Sequence, residues 1–296
     1  MVRVGIIGSG FVGSATGEGF AKLGNEVLFY DISDAPLERL KSGGHKTTKN
    51  ISEVVQNSDI LFIAVPTPFD GAAGEINLAY IKSASEAVGS ALAGKREYCV
   101  VVVRSTVVPK TTEEVVKPLL EKNSGKTCGV NFGLCMNPEF MTQIAGTWTA
   151  EQRYAKGFLQ QDRIVIGEFD KKSGDLLENI YRSLGVPALR TNLKTAEMIK
   201  YASNCALSSR ISYWNQIYSV CQKIDVDSNI VAQIVGVDPR IGKYGTVHGK
   251  AFGGTCLPKD LKALIASAKK QGADVRLLQA IDDINEMIKK EQGVRE

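Results

Sequence analysis

Short, almost wholly apolar runs alternate with longer stretches in which apolar residues recur every three or four positions. Residues 2–7, 26–30, 59–65, 98–103, 131–135, 163–167 and 186–189 read as strands, several of them of the fully buried kind. Residues 15–23, 77–92, 112–122 and 173–184 read as helices between them. This alternation predicts a parallel, doubly wound sheet. Residues 142–161 are polar and unpatterned, which predicts a loop with a short helix.

From residue 192 to about 223 the character changes. No Gly or Pro interrupts this stretch, so it reads as one long helix spanning domains or subunits. Met198, Ile199, Ala202, Leu207, Ile211, Trp214, Ile217 and Val220 make it largely apolar. Against them, Glu197, Lys200, Asn204 and Ser208 fall at three- or four-residue steps, which places them on one face. On the helix alone, that stripe reads as solvated. The remainder is helical: 228–235, a loop at 236–242, a helix after residue 256 and a last one at 275–290. The fold class expected is α/β, a Rossmann-type parallel sheet over residues 1–191 followed by an all-α domain over 192–296.

Composition is that of an ordinary globular protein, and the net charge of +4 comes without a basic block, which argues against a nucleic-acid partner. No apolar run reaches the length of a membrane span. The six cysteines form no CxxC pair and read as free thiols of a reducing, cytoplasmic compartment. Two histidines, His45 and His248, are too few for a His-based zinc site or a Ser-His-Asp triad, and no metal is expected.

The first strand runs into Gly8-Ser9-Gly10-Phe11-Val12-Gly13 and then a helix, and the second strand ends at Asp31. Alone, GxGxxG is a weak motif; between strand and helix, with an acid closing the next strand, it is strong. Gly8 permits the tight turn, Gly10 the approach of a pyrophosphate, and Gly13 close packing of helix on strand. The helix N-terminus supplies N–H donors to the phosphates. Asp31 would accept from the ribose hydroxyls and repel a 2′-phosphate, so the cofactor expected is NAD rather than NADP. Three further strands end in polar loops, at Thr67, at Ser105 and Thr106, and at Glu139. Each hydroxyl could equally be a helix cap. Thr111 or Thr112 is the better cap candidate for the helix after Pro109, which frees Thr106 for a ligand.

Near the C-terminus, Phe252-Gly253-Gly254-Thr255-Cys256-Leu257-Pro258-Lys259-Asp260 places a cysteine just before a helix, whose first turn suits Pro258. The helix N-terminus and nearby Lys259 favour thiolate over thiol, which makes a nucleophile. The bland alternative is a small apolar cysteine in a turn.

Taken together, GSGFVG (8–13), VPTP (65–68), STVVP (105–109), NPEF (137–140), RIVIG (163–167), AEMIKYASN (196–204), DPRIG (238–242) and FGGTCLPKD (252–260) resemble the UDP-glucose/GDP-mannose dehydrogenase family in order and spacing. The resemblance implies NAD-dependent, two-step oxidation of a nucleotide-sugar 6-hydroxyl to a carboxylate, with UDP-glucose the first-choice substrate. By similarity Cys256 is the nucleophile, Lys200 and Asp260 act with a water near the reacting oxygen, and the polar stripe of the long helix reads as a wall of the site rather than a solvated face. Asn204 stabilises an oxyanion, Thr106 helps hold the water, and Glu139 is the base for thioester hydrolysis. The cofactor would lie against Gly8, Gly10, Phe11, Val12, Gly13, Asp31, Thr67, Ser105 and Thr106. The substrate would lie against Glu139, Phe140, Lys200, Asn204, Phe252, Gly253, Gly254 and Arg240, the last often across a dimer interface, so a homodimer is expected.

The sequence departs from the family in places. NPEF is followed by Met141-Thr142-Gln143-Ile144 where the family has Leu-Arg-Glu-Gly, Lys110 replaces a glycine after STVVP, and the stretch before Phe252 is atypical. The family's second α/β domain would begin where this sequence stops, so a fragment, or a protein working without that domain, is expected. Two other readings stay open: a β-hydroxyacid dehydrogenase of 3-hydroxyisobutyrate type, which lacks a catalytic cysteine, and a non-catalytic NAD-binding remnant.

Overall fold

A computed structural model describes residues 1–142, 148 and 156–293. The expectations for Gln143 and for most of 142–161 fall outside these residues. The chain forms two compact units. The first comprises Met1–Pro68, Ile76–Met141 and Gly157–Lys200. The second comprises Phe69–Glu75 and the described residues of 142–156 and from Tyr201 on. They divide inside the long helix, after Lys200, rather than at its start.

In chain order the strands are β1 (Arg3–Ile7), β2 (Glu26–Tyr30), β3 (Lys46–Thr48), β4 (Ile60–Ile63), β5 (Phe69–Asp70), β6 (Glu75–Ile76), β7 (Val100–Val103), β8 (Gly133–Met136), β9 (Ile164–Glu168) and β10 (Ala188–Asn192). β5 and β6 pair only with each other. The other eight form one sheet in the order β10-β9-β8-β7-β4-β1-β2-β3. The order reverses between β1 and β4, and open sheets of this kind bind ligands outside the carboxyl ends of the strands at that point.

The helices of the first unit are α1 (Phe11–Lys22), α2 (Asp34–Ser42), α3 (Ile51–Gln56), α4 (Ala79–Ala93), α5 (Lys117–Ser124) and α6 (Lys171–Tyr181). A π-helical turn, Thr112–Val116, leads into α5. The central strands are buried on both faces, which is why they read as unbroken apolar runs. Leu61, Ile63, Val101 and Val103 pack on one side with Ile81, Val88 and Leu120. Ile60, Phe62, Val100 and Val102 pack on the other with Phe20, Leu37 and Leu177.

All pairings of the large sheet are parallel except one. β8 and β9 run antiparallel, with Cys135 opposite Glu168 and Met136 opposite Gly167. The parallel expectation fails there because strand direction is set by the side on which the chain re-enters the sheet, not by the composition of β9. Among the described residues between β8 and β9 a 3-10 turn spans Phe158–Gln160.

α7 (Leu193–Lys223) is the long helix expected, and α8 (Ser228–Val235), α9 (Leu257–Lys270) and α10 (Arg276–Glu291) complete the second unit. α10 is tied to α7 through Ser212 Oγ, which donates to the Ile281 carbonyl at 2.9 Å.

Candidate active site

The glycine loop behaves as its spacing predicts. Gly8 has φ +91°, and a Cβ there would stand 2.6 Å from the Ala64 carbonyl oxygen. A Cβ on Gly13 would stand 1.8 Å from the Gly8 carbonyl oxygen, so only glycine lets α1 sit this close to β1. Around Gly10 no atom lies within 4 Å of such a Cβ, which leaves its face open. Gly10 caps α1 without a side-chain bond, and no acid occupies the first turn, which holds Phe11 and Val12. Its N–H groups are therefore available to an anion, with no acid of the helix's own first turn to compete. Asp31 closes β2 beside this turn, accepting from Ser9 N at 2.7 Å and Ser33 N at 2.8 Å. Each carboxylate oxygen retains acceptor capacity for a ribose hydroxyl. An open cradle, free helix donors and an adjacent carboxylate fit a dinucleotide.

The ends of β4 and β7 are strapped together. Thr67 Oγ1 donates to the Thr106 carbonyl at 2.7 Å, and Ser105 Oγ to the Val65 carbonyl at 2.7 Å. Both hydroxyls hold backbone, whereas the half-buried Thr106 hydroxyl makes no hydrogen bond among the described residues. Neither threonine after Pro109 caps the following helix. Thr111 Oγ1 donates back to Val108 O at 2.6 Å, and the amides of Lys110 and Thr112 are met by Glu197 from α7 instead.

At the end of β8, Glu139 and Lys200 form a buried ion pair. Lys200 Nζ donates to the Glu139 carbonyl at 2.6 Å and to Glu139 Oε1 at 3.1 Å, while Met141 N donates to Oε2 at 2.8 Å. Burial works against the charge on Glu139, but the Lys200 ammonium, the Arg104 guanidinium and the Met141 amide hold its carboxyl below the usual range. Lys200 keeps a third N–H beyond the two it spends here. Phe140 packs its ring under the Arg163 guanidinium, 4.4 Å away. Arg104 and Asn137, which the sequence reading left out, fix this loop. Arg104 Nη1 donates to the Asn137 side-chain oxygen at 2.7 Å and to the Pro138 carbonyl at 3.1 Å. Asn137 Nδ2 donates to Val165 O at 2.7 Å. The one signal for Arg104 was a cation directly following four consecutive valines.

In the second unit Cys256 sits at the N-cap of α9 and is exposed; the other five cysteines are buried. Burial pushes the thiols of Cys128, Cys135 and Cys205 up to about 12 and that of Cys99 to about 11, which leaves them inert. Gly253 and Gly254 before it are open, with no atom within 4 Å of an added Cβ, and Gly254 has φ +80°. Lys259, expected to favour the thiolate, directs its ammonium to Asp260 instead. Asp260 is buried and accepts from Asn204 Nδ2 at 2.6 Å, while its own N–H donates to the Cys256 carbonyl at 2.9 Å. Asp260 thus links Asn204 to the cysteine turn. Phe252, expected at the substrate, has its side chain fully buried as the anchor of that turn. Asn285 of α10 clamps its backbone, accepting from Phe252 N at 2.8 Å and donating to Phe252 O at 3.0 Å. Arg240 joins neither group; it is exposed and bound to Asp238 at 2.6 Å.

The polar stripe of α7 is buried, not solvated: Glu197, Lys200, Asn204 and Ser208 are all 6% exposed or less. Each has a partner, and the last is Ser208 Oγ donating to Asn204 O at 3.0 Å.

The family profile described as the UDP-glucose/GDP-mannose dehydrogenase NAD binding domain matches residues 38–185, and that of the central domain matches 194–287. The UDP-glucose 6-dehydrogenase AglM of Haloferax volcanii is 36% identical over 309 residues. That match covers 96% of this chain and 70% of the relative. The chain belongs to the UDP-glucose/GDP-mannose dehydrogenase family. Another relative, the GDP-mannose 6-dehydrogenase of Pseudomonas aeruginosa, is 35% identical, over 91% of this chain and 65% of its own length. Among solved structures, a UDP-glucose dehydrogenase from the hyperthermophilic archaeon Pyrobaculum islandicum superposes with a TM-score of 0.87. It is 32% identical, covering 99% of this chain and 72% of that one. The chain therefore spans roughly two thirds of the length of these relatives. Its cofactor is NAD, as the family's NAD binding domain requires and as the Gly8–Gly13 cradle and Asp31 fit. No helix among the described residues is long and apolar enough to cross a membrane.

Proposed function

We propose that the chain oxidises the 6-hydroxyl of a nucleotide sugar, UDP-glucose first, to the carboxylate in two NAD-dependent steps. The observation that carries this reading is Cys256, the one exposed cysteine, placed at the N-terminus of α9 behind two open glycines. NAD, when bound, takes up the hydride of each oxidation. The first oxidation removes a proton and a hydride from the alcohol and leaves an aldehyde. Cys256 sulfur adds to the aldehyde carbon, and its oxygen is protonated to give a thiohemiacetal. Loss of a second proton and hydride leaves a thioester. Water then adds, the C–S bond breaks, the sulfur leaves with its electron pair, and the sugar carries a carboxylate. The covalent bond keeps one carbon in place between two oxidations.

The remaining roles are those the family resemblance implies, and free hydrogen-bonding capacity supports several of them. The third N–H of Lys200 and the second amide hydrogen of Asn204 stabilise the oxyanion. Lys200 and Asn204 stand one turn apart on α7, on a single stripe. Asp260 and the Thr106 hydroxyl hold the water, and Glu139, ionised beside Lys200, takes its proton in the hydrolysis. Arg240 serves the substrate, and the protein acts as a cytoplasmic homodimer. Tyr213 and Val220 on α7 and Ile224 just after it are exposed, and Ile230, Ile234 and Val237 are exposed on and after α8.

The test is stoichiometry. Two NADH formed per nucleotide sugar support the reading; one NADH from a hydroxyacid, or none, overturns it. Cys256→Ser should abolish overall turnover and leave NAD binding intact, because a hydroxyl is a poor nucleophile without a paired base.

A further inference from the structure

One turn before Lys200 on α7, Glu197 is fully buried. No cation pairs with it among the described residues. Its two oxygens accept backbone N–H groups from a distant segment: Lys110 N at 2.6 Å on Oε2 and Thr112 N at 2.7 Å on Oε1. These amides close the loop that begins at Ser105 and Thr106 and open the π-helical turn before α5. Burial pushes the Glu197 carboxyl up to about 7, opposed first by the Thr112 side chain and then by the Thr112 and Lys110 amides, and reinforced by the charge of Glu113. The neighbouring cations are engaged elsewhere: Lys110 Nζ lies 3.7 Å from Glu114, and Lys200 is held by Glu139. A carboxylate is thus kept in a dry place with no counter-charge, an expensive way to fill space. What it provides that an amide or apolar side chain cannot is two equivalent acceptors at a fixed separation.

We propose that Glu197 is a positioning residue whose two-pronged carboxylate sets the loop carrying Thr106 against the turn of α7 carrying Lys200. The inference rests on the roles given to Thr106 and Lys200 above. A proton on either oxygen turns that acceptor into a donor facing an amide that can only donate, so one prong weakens. Glutamine at 197 has the same shape and the same defect at every pH.

The test compares the ¹⁵N-labelled, NAD-loaded full chain with its Glu197→Gln variant. In the wild type the Lys110 and Thr112 amide signals should titrate together between pH 5 and 9, and in the variant they should not. Hydrogen exchange at one or both amides should quicken about ten- to a hundredfold in the variant, the loss of one charge-assisted bond, with the Leu120 amide in α5 unchanged. Unchanged exchange, or an equal rise at Leu120, overturns the clasp. Should Glu197→Gln fail to fold, Glu197→Asp keeps the charge one methylene short. It should leave one amide protected and not the other; full protection of both overturns the proposal. In turnover with UDP-glucose, Glu197→Gln should lower kcat about tenfold or more; equal kcat overturns the positioning role. If the wild type itself yields no NADH, the reaction assigned above is what fails, and the two amides still decide the clasp.

Discussion

At Lys110 the backbone takes φ +82°, the left-handed region that glycine adopts freely and a lysine adopts at a cost of about 1–2 kcal/mol. The lysine is held there because its N–H feeds Glu197. Its side chain recovers little, since the pair with Glu114 is exposed on both sides and worth about 0.5 kcal/mol at most. Lys110→Gly should therefore raise stability by about 1 kcal/mol, read as a higher urea midpoint at unchanged slope. A midpoint that falls would show that the left-handed turn is not strained. The same residue illustrates what a sequence hides. The departure from a family glycine is visible in the string of letters, but not that the position still has the backbone of one.

The glycines of the β1–α1 turn act at the scale of the element, and they separate folding from binding. Gly13 is fixed by packing, because a Cβ would drive into the Gly8 carbonyl and push α1 off the sheet. A Cβ on Gly10 would meet no atom within 4 Å. Gly13→Ala should lower stability by several kcal/mol, in the range of overpacked cores, and abolish NAD binding with it. Gly10→Ala should leave stability within about 0.5 kcal/mol and still weaken NAD at least tenfold, measured by calorimetry on a protein whose melting is unchanged. Undiminished NAD affinity in Gly10→Ala would remove that face from the cofactor site. The same logic governs α7. Its polar residues sit at helical spacing in the sequence, but a helix considered alone turns such a stripe to water. Glu139, Asp260 and the Lys110–Thr112 backbone, 56 to 87 residues away, turn it inward.

For the whole molecule, the apolar residues exposed on α7 and α8 predict a homodimer. Light scattering should give twice the chain mass, and Ile234→Asp with Val237→Asp should give a monomer, because two buried unpaired carboxylates outweigh the apolar area of one small interface. A wild-type chain that runs as a monomer at micromolar concentration would dismiss the dimer.

The strands of the central sheet, the glycine turn, the long helix and the cysteine before α9 were determined by the sequence itself. Each rests on something local: burial on both faces makes an unbroken apolar run, a turn demands glycine, a helix demands its period. The elements α2, β3 and α3 escaped because they are short; α2 and β3 are also largely polar, whereas α3 buries Val54 and Val55 but spans six residues, capped by Asn50 through Ser52 N and Glu53 N. The antiparallel course of β9 also escaped, since direction is set by where the connection emerges and not by the strand's composition. Only the tertiary structure decided which polar groups are dry and whom they meet: Lys200 with Glu139, Asn204 with Asp260, Glu197 with two amides in place of the threonine cap expected. A buried polar atom must find a partner, and the partner is chosen by the fold from residues that lie far away in the chain.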